Sequence, residues 1–253
     1  MSAAAGDACL RLQGVGKRYG SLSVLEDVSF EVRGGERCGI IGPNGAGKST
    51  LFNIVAGDVP LSHGAVSFLG RDVTRWSAHA RARAGLARTF QTKTLFPRLT
   101  VVENLVLALQ AHSRERFALL VPRGRYRARD REALELLDRV GLASRANEIV
   151  SALGYGEQRQ IEILLAMAQK PTLLLLDEPT AGLAPGDASL VTEMLKRERS
   201  GVTMVLIEHD MGVVFDIVDR LIVLHHGRVV ADGPLASVRG DTTVQEIYLG
   251  GTL

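Results

Sequence analysis

Gly42-Pro43-Asn44-Gly45-Ala46-Gly47-Lys48-Ser49 fits the pattern G-x-x-x-x-G-K-[ST], and Thr50 extends the run. Closely spaced glycines let a backbone curl until successive N–H groups point at one anion. A helix N-terminus directly behind them adds positive potential. Lys48 then offers a mobile positive charge to the outer phosphates of a nucleotide, and the Ser49 hydroxyl is a ligand suited to Mg²⁺. The expected ligand of Gly42, Pro43, Asn44, Gly45, Ala46, Gly47, Lys48, Ser49 and Thr50 is therefore ATP with Mg²⁺. That chemistry needs a strand before the loop and a helix after it.

A second group lies far along the chain. Leu173-Leu174-Leu175-Leu176-Asp177-Glu178-Pro179 is an apolar run that ends in two carboxylates. At the C-terminal end of a buried strand, where such sheets bind ligands, Asp177 is placed to hold the metal through water. Glu178 is placed to polarise an attacking water.

The surrounding pattern supplies those elements. Arg37 to Ile41 reads as a buried strand feeding the loop, and Lys48 to Ala56 as the helix that follows. Thr172 to Leu176 and Thr203 to Ile207 read as further buried strands, and Leu221 to Arg228 as a hairpin near a sheet edge. Short strands alternating with helical stretches point to an α/β fold with a mainly parallel sheet. From Leu10 to Val32, apolar and polar residues alternate as in an antiparallel layer, which Val66 to Leu69 is expected to join. Val101 to Gln169 is helical in pattern, with Leu134, Leu137 and Val140 on one apolar face and Gly141 as a C-terminal cap.

Composition sets broad limits. A chain of 253 residues with 46% apolar and 23% charged residues has the make-up of an ordinary globular protein. A net charge of +2 lacks the concentration of Lys and Arg that nucleic-acid binders carry. The basic stretch Arg123 to Arg129 reads as a solvated loop and helix start. Only Cys9 and Cys38 occur, without metal-ligand spacing, and Cys38, in the apolar stretch Arg37 to Ile41, is expected to be a buried thiol in a reducing compartment. The N-terminal stretch has no secretory pattern and no apolar run reaches the ~18 residues that span a bilayer, so a cytoplasmic location is expected.

Further motifs in order along the chain make it resemble the nucleotide-binding subunit of an ABC transporter. The resemblance implies a P-loop NTPase cassette with a RecA-like core, an antiparallel β layer and an inserted helical subdomain. It divides the single domain into core and β layer at about 8–91 and 165–253, and a helical subdomain at about 92–164. Tyr19 matches the aromatic that stacks on adenine, although alone it would read as a packing residue. Gln91, in Arg88-Thr89-Phe90-Gln91, matches a glutamine that senses Mg²⁺ and the membrane partner, so the implied metal set is Ser49, Gln91 and Asp177. His209 matches the switch histidine at the γ-phosphate, which with Glu178 and Lys48 gives the implied catalytic set. Leu153-Gly154-Tyr155-Gly156-Glu157 aligns with the family signature L-S-G-G-Q, which binds the ATP held by a facing subunit. Gly154 replaces the usual serine there, and Ala184 stands where the family usually has a polar residue.

Thr89-Phe90-Gln91, the Tyr155 to Arg159 run and the ending Ile247-Tyr248-Leu249-Gly250 look like the ATPases of branched-chain amino acid importers, with urea and amide importers closely similar. Such a subunit implies ATP hydrolysis coupled to transport, a second ABC ATPase subunit, integral membrane permeases and, indirectly, a substrate-binding protein. It implies a peripheral position on the cytoplasmic face of the membrane and no nucleic-acid partner. A lipopolysaccharide-export ATPase is the alternative, sharing the His79 to Arg83 segment, and a soluble ABC ATPase without a transport role is another.

Overall fold

The computed structural model describes residues 7–89, 95–111, 123–198 and 201–249. The chain opens with two long strands, β1 (Ala8–Tyr19) and β2 (Leu22–Arg33), then β3 (Arg37–Ile41) and helix α1 (Lys48–Ala56). Next come β4 (His63–Phe68), β5 (Arg71–Asp72), α2 (Ala78–Arg83) and β6 (Leu86–Arg88). Four helices carry the middle: α3 (Val101–Ala111), α4 (Arg123–Arg139), α5 (Tyr155–Ala168) and, after β7 (Leu173–Asp177), α6 (Pro185–Arg197). The chain continues with β8 (Thr203–Ile207), α7 (Met211–Ile217), β9 (Arg220–His225), β10 (Arg228–Pro234), α8 (Leu235–Arg239) and α9 (Thr242–Leu249).

These elements group into two compact units. The first comprises residues 1–88, 172–178 and 198–253, and the second residues 89–171 and 179–197. The second unit therefore takes in more than the expected 92–164, because α6 packs on α5.

In the first unit, one sheet runs in the order β10-β9-β3-β8-β7-β6 and another in the order β2-β1-β4-β5. Strands β9, β3, β8, β7 and β6 are parallel, and β10 closes one edge antiparallel to β9. β7 and β8 are buried at every position, which is why each reads as a continuous apolar run with no alternation. The second sheet is antiparallel throughout, as the alternation in Leu10 to Val32 implies. Helix α1 lies in a shared core: Leu51, Phe52, Ile54 and Val55 pack with Leu10, Leu25 and Phe68 of one sheet and Leu173, Val205 and Ile222 of the other.

Beneath α1 sits a buried arginine. Arg81, 2% exposed, donates through Nη1 to the Ile54 and Val55 carbonyls at 2.6 and 2.7 Å. Through Nη2 it donates to the Val73 carbonyl at 2.7 Å. Burial opposes its charge and pulls its pKa below the ordinary arginine value. The negative charges of Asp58 and Asp72 act in the opposite direction, and the carbonyls at the end of α1 add negative partial charge.

In the second unit, Val101 and Leu105 of α3, Ala133 and Leu137 of α4 and Ile161 and Leu164 of α5 are buried. Thr100 and Glu103 close a capping box at the start of α3, with the Glu103 carboxylate accepting from the Thr100 N–H at 2.7 Å. Leu134, expected on the apolar face of α4, is 42% exposed. Ala133 and Leu137, four residues apart, form the stripe on this helix, and Leu134 falls one position round it. Gly141 adopts a left-handed φ of 75° past the end of α4, as expected of a cap.

Arg81→Ala would leave the carbonyls at the end of α1 without their charged donor. It should lower stability by about 3 kcal/mol or more in urea denaturation. A loss below about 1 kcal/mol would mean that water or a neighbour replaces the guanidinium.

Candidate nucleotide site

Every described residue of the phosphate loop and the acidic strand end belongs to the first unit. The loop leaves β3 at Gly42 and enters α1 at Lys48. Two glycines are dictated by space. A Cβ on Gly42 would sit 2.0 Å from the Leu224 carbonyl oxygen, and one on Gly47 would meet the Leu25 side chain at 2.7 Å and the Val24 carbonyl at 2.9 Å. Gly47 also holds a left-handed φ of 103° as the N-cap of α1. The β9–β10 turn supports the loop from one side, as the Gly227 N–H donates to the Ala46 carbonyl at 3.0 Å.

Lys48 is 6% exposed, and its ammonium donates to the Gly42 carbonyl at 2.6 Å and the Pro43 carbonyl at 3.0 Å. Burial lowers its pKa, while the nearby charges of Glu178 and Asp177 act in the opposite direction. Asn44, Gly45 and Ser49 are exposed at the mouth of the loop, with Pro43 and Thr50 half-buried.

Asp177 ends β7 in a buried position, 1% exposed. Arg88 Nη2 donates to its Oδ2 at 2.9 Å. Glu178 follows with a left-handed φ of 46°, its N–H donating to the Ile207 carbonyl at 2.9 Å. A non-glycine residue in that region costs on the order of 1–3 kcal/mol and persists only where its surroundings enforce it. The effect is to swing the Glu178 side chain out of the alternation of the strand. Its Oε1 lies 2.7 Å from Nε2 of His209, and since an ionised carboxylate only accepts, the ring donates through Nε2. His209 is held just past β8, its N–H donating to the Glu208 carboxylate at 2.9 Å, and Asp210 caps α7 directly after it.

Tyr19 ends β1 and is 49% exposed. The Lys17 ammonium lies 4.7 Å from its ring centroid and donates to the Pro60 carbonyl at 2.7 Å. Gln91 lies outside the described residues, as do Phe90 and part of the Phe117 to Arg129 stretch.

The signature segment belongs to the second unit. Leu153 is buried, Gly154 is the N-cap of α5 and Tyr155 is 53% exposed. The Gly154 N–H donates to the Glu157 carboxylate at 3.0 Å, so half of a capping box is present; the other half needs a hydroxyl that glycine lacks. Gly156 is dictated by packing, since a Cβ there would lie 2.2 Å from Asp187 Cγ of α6. Ala184 contributes the carbonyl that accepts the first hydrogen bond of α6, from Ala188 N–H at 2.9 Å, with Pro185 following as the first helical residue.

Two residues missed in sequence reasoning join these groups. Arg88, the last residue of β6, stands in the Arg88-Thr89-Phe90-Gln91 run, where it had no assigned task. Arg159 stands in the Tyr155 to Arg159 run; it donates from Nε to the Pro179 carbonyl at 3.0 Å and pairs with Glu162 at 2.9 Å. A charged residue on the buried side of a helix was the available sign.

The family model described as ABC transporter matches residues 25–181, which takes in the loop, the signature segment and the acidic strand end. This chain belongs to the ABC transporter family. It is an ATP-binding cassette, an ATPase with the α/β P-loop fold of that family. The high-affinity branched-chain amino acid transport ATP-binding protein BraF of Pseudomonas aeruginosa is 37% identical over 248 residues, covering 95% of this chain and 97% of BraF. LivG of Escherichia coli, of the same description, is 36% identical with the same coverage. The lipopolysaccharide export system ATP-binding protein LptB of Haemophilus influenzae is 33% identical over 242 residues, covering 95% of this cassette and 97% of LptB. Among solved structures, the ADP conformation of MJ1267, an ATP-binding cassette of an ABC transporter, superposes with a TM-score of 0.83 at 31% identity, covering 96% of this chain and 99% of that one.

The cassette's Gly154 has an ordinary extended backbone, φ −61° and ψ 157°, and a Cβ there meets nothing closer than Glu157 Oε2 at 3.6 Å. Gly154→Ser should therefore complete the capping box and stabilise the protein by a few tenths of a kcal/mol, read by urea denaturation. Destabilisation by more than about 1 kcal/mol would show that the hydroxyl is not accommodated there.

Proposed function

We propose that this cassette is the ATP-hydrolysing subunit of an importer for branched-chain amino acids or related small polar solutes such as urea and amides. The carrying observation is the Glu178–His209 pair at the strand ends beside the phosphate loop. The importer reading is supported by the 37% identity to BraF across nearly the whole chain, against 33% to LptB.

In this reading Gly42 to Thr50 cradle the phosphates of ATP, and Tyr19 stacks on the adenine. Lys48 exchanges the Gly42 and Pro43 carbonyls for phosphate oxygens. Glu178 accepts a proton from the water that attacks the γ-phosphorus, as the bond from that phosphorus to the ADP oxygen breaks. His209 holds the Glu178 carboxylate in place and reaches the γ-phosphate.

Mg²⁺ fits the residues present. Among the described residues no cluster of three or more His, Cys, Asp or Glu could form a protein cage for a metal. Mg²⁺ favours the alternative, one or two hard oxygen donors together with substrate phosphates and water. Ser49 and Asp177 would hold it, with Gln91 as a third ligand by family resemblance. When bound it would neutralise charge on the outer phosphates.

Leu153, Gly154, Tyr155, Gly156 and Glu157 would face the ATP of a second ABC ATPase subunit, offering the α5 N-terminus and backbone amides to its γ-phosphate. No helix among the described residues is long and apolar enough to cross a membrane. We place the cassette at the cytoplasmic face of the membrane, bound to permease subunits that a substrate-binding protein feeds.

Glu178→Gln should bind ATP with near wild-type affinity while turnover falls by at least about 100-fold, the scale of a lost general base. Phosphate release measured alongside nucleotide binding checks both halves. Turnover near the wild-type rate would remove Glu178 from the chemistry.

A further inference from the structure

We propose that Arg88 is a positioning residue for metal binding: it orients the Asp177 carboxylate and ties it to the helix that carries the phosphate loop. The inference rests on the reading that Asp177 stands beside the metal.

Strands β6 and β7 are parallel, with Arg88 opposite Leu175, two residues before Asp177. From there the guanidinium fans out over three acceptors. Nη2 donates to Asp177 Oδ2 at 2.9 Å, and Nη1 to Asn53 Oδ1 at 2.7 Å and Asp58 Oδ2 at 2.9 Å. The Arg88 side chain is 11% exposed, against 1% for Asp177 and 37% for Asp58. Asn53 belongs to the last turn of α1, where its carbonyl accepts from the N–H groups of Gly57 and Asp58. One planar group thus spans from the strand end that carries the acids to the far end of the helix that begins at Lys48.

Two consequences follow from the geometry. A guanidinium is flat and its N–H directions are rigid, so three fixed acceptors determine its plane, and through Oδ2 the rotation of the Asp177 carboxylate. An ionised carboxylate has about four acceptor positions, so one N–H from Arg88 does not by itself fill it. Arg88 is also the last residue of β6, three positions before Gln91. Partners that orient a metal-binding group typically change metal affinity when removed, whereas an ion pair that only holds the fold changes stability alone.

The test is a titration of a fluorescent ATP analogue against the purified protein, in EDTA and across a range of Mg²⁺ concentrations. Wild type is compared with Arg88→Met, with Arg88→Lys, and with Asp58→Asn, which loosens the guanidinium from its exposed end without touching Asp177. In EDTA all should bind the nucleotide within about twofold of wild type. The Mg²⁺ concentration at half-effect should rise by about tenfold or more in Arg88→Met, with smaller rises in Arg88→Lys and Asp58→Asn, in line with the usual loss for an outer-shell partner. If Arg88→Met does not fold, the ordering of the other two against wild type decides. Unchanged Mg²⁺ curves, with or without a lower melting temperature, would make Arg88 a structural ion pair and overturn the proposal. An equal loss of affinity in EDTA and in Mg²⁺ would overturn it too. Wild type without any Mg²⁺ response would instead sink the reading of Asp177 as a metal neighbour, and the proposal with it.

Discussion

A buried ammonium must have acceptors, and the site is built around that requirement. Lys48 sits at the start of α1 inside the protein, and its ammonium donates to the Gly42 and Pro43 carbonyls of its own loop. To bring those carbonyls back over the lysine the loop must curl tightly, which is possible because side chains are missing at Gly42 and Gly47. A loop curled in this way commonly presents backbone N–H groups to an anion. Parked on carbonyls, the lysine is satisfied but poorly so. Phosphate oxygens offer the stronger, charge-assisted bond, so in the proposed reading binding is an exchange of partners in place of a search for one.

Both sheets of the first unit converge on this loop. Val24 and Leu25 of the antiparallel sheet press against Gly47, while Leu224 and Gly227 of the β9–β10 hairpin hold Gly42 and Ala46. Asp177 and Glu178 arrive beside it because β7 lies two strands from β3 across β8. Their neighbouring positions in sequence would send them to opposite faces of a regular strand. The left-handed backbone at Glu178 breaks that alternation and delivers its carboxylate to His209. The strain and the contact belong together: a group held in an uncommon conformation is already oriented before substrate arrives.

Much of this was legible in the residues. The loop, β3, α1 and β8 could be bounded from sequence because glycines, a lysine and fully apolar runs leave few alternatives for a buried parallel strand. The hairpin at His226 and Gly227 was legible for the same reason, as both central residues take the positive φ that such turns demand. Two kinds of feature were not. Leu134 was misplaced because a helix shows its apolar stripe clearly only when several turns agree, and among its described side chains α4 buries Ala133 and Leu137. Arg81, Arg88 and Arg159 were silent because an arginine's task depends on which carbonyls and carboxylates surround it. Several of those partners are distant in sequence: Ile54 lies 27 residues from Arg81, Asp177 lies 89 from Arg88 and Pro179 lies 20 from Arg159. Gln91 lies outside the described residues, so its place beside the metal rests on resemblance.

The central claim is that affinity resides in the phosphate loop and its lysine, with the aromatic at Tyr19 secondary. Equilibrium binding of ATP, ADP, AMP and adenosine to the purified protein tests it most directly. Loss of the charge-assisted contacts should separate ATP and ADP from AMP and adenosine by on the order of 100-fold or more, since each such bond contributes about 1.5–3 kcal/mol. AMP or adenosine binding as tightly as ATP would contradict the account, because the ligand would then be held by its base and the exchange at Lys48 would have no role.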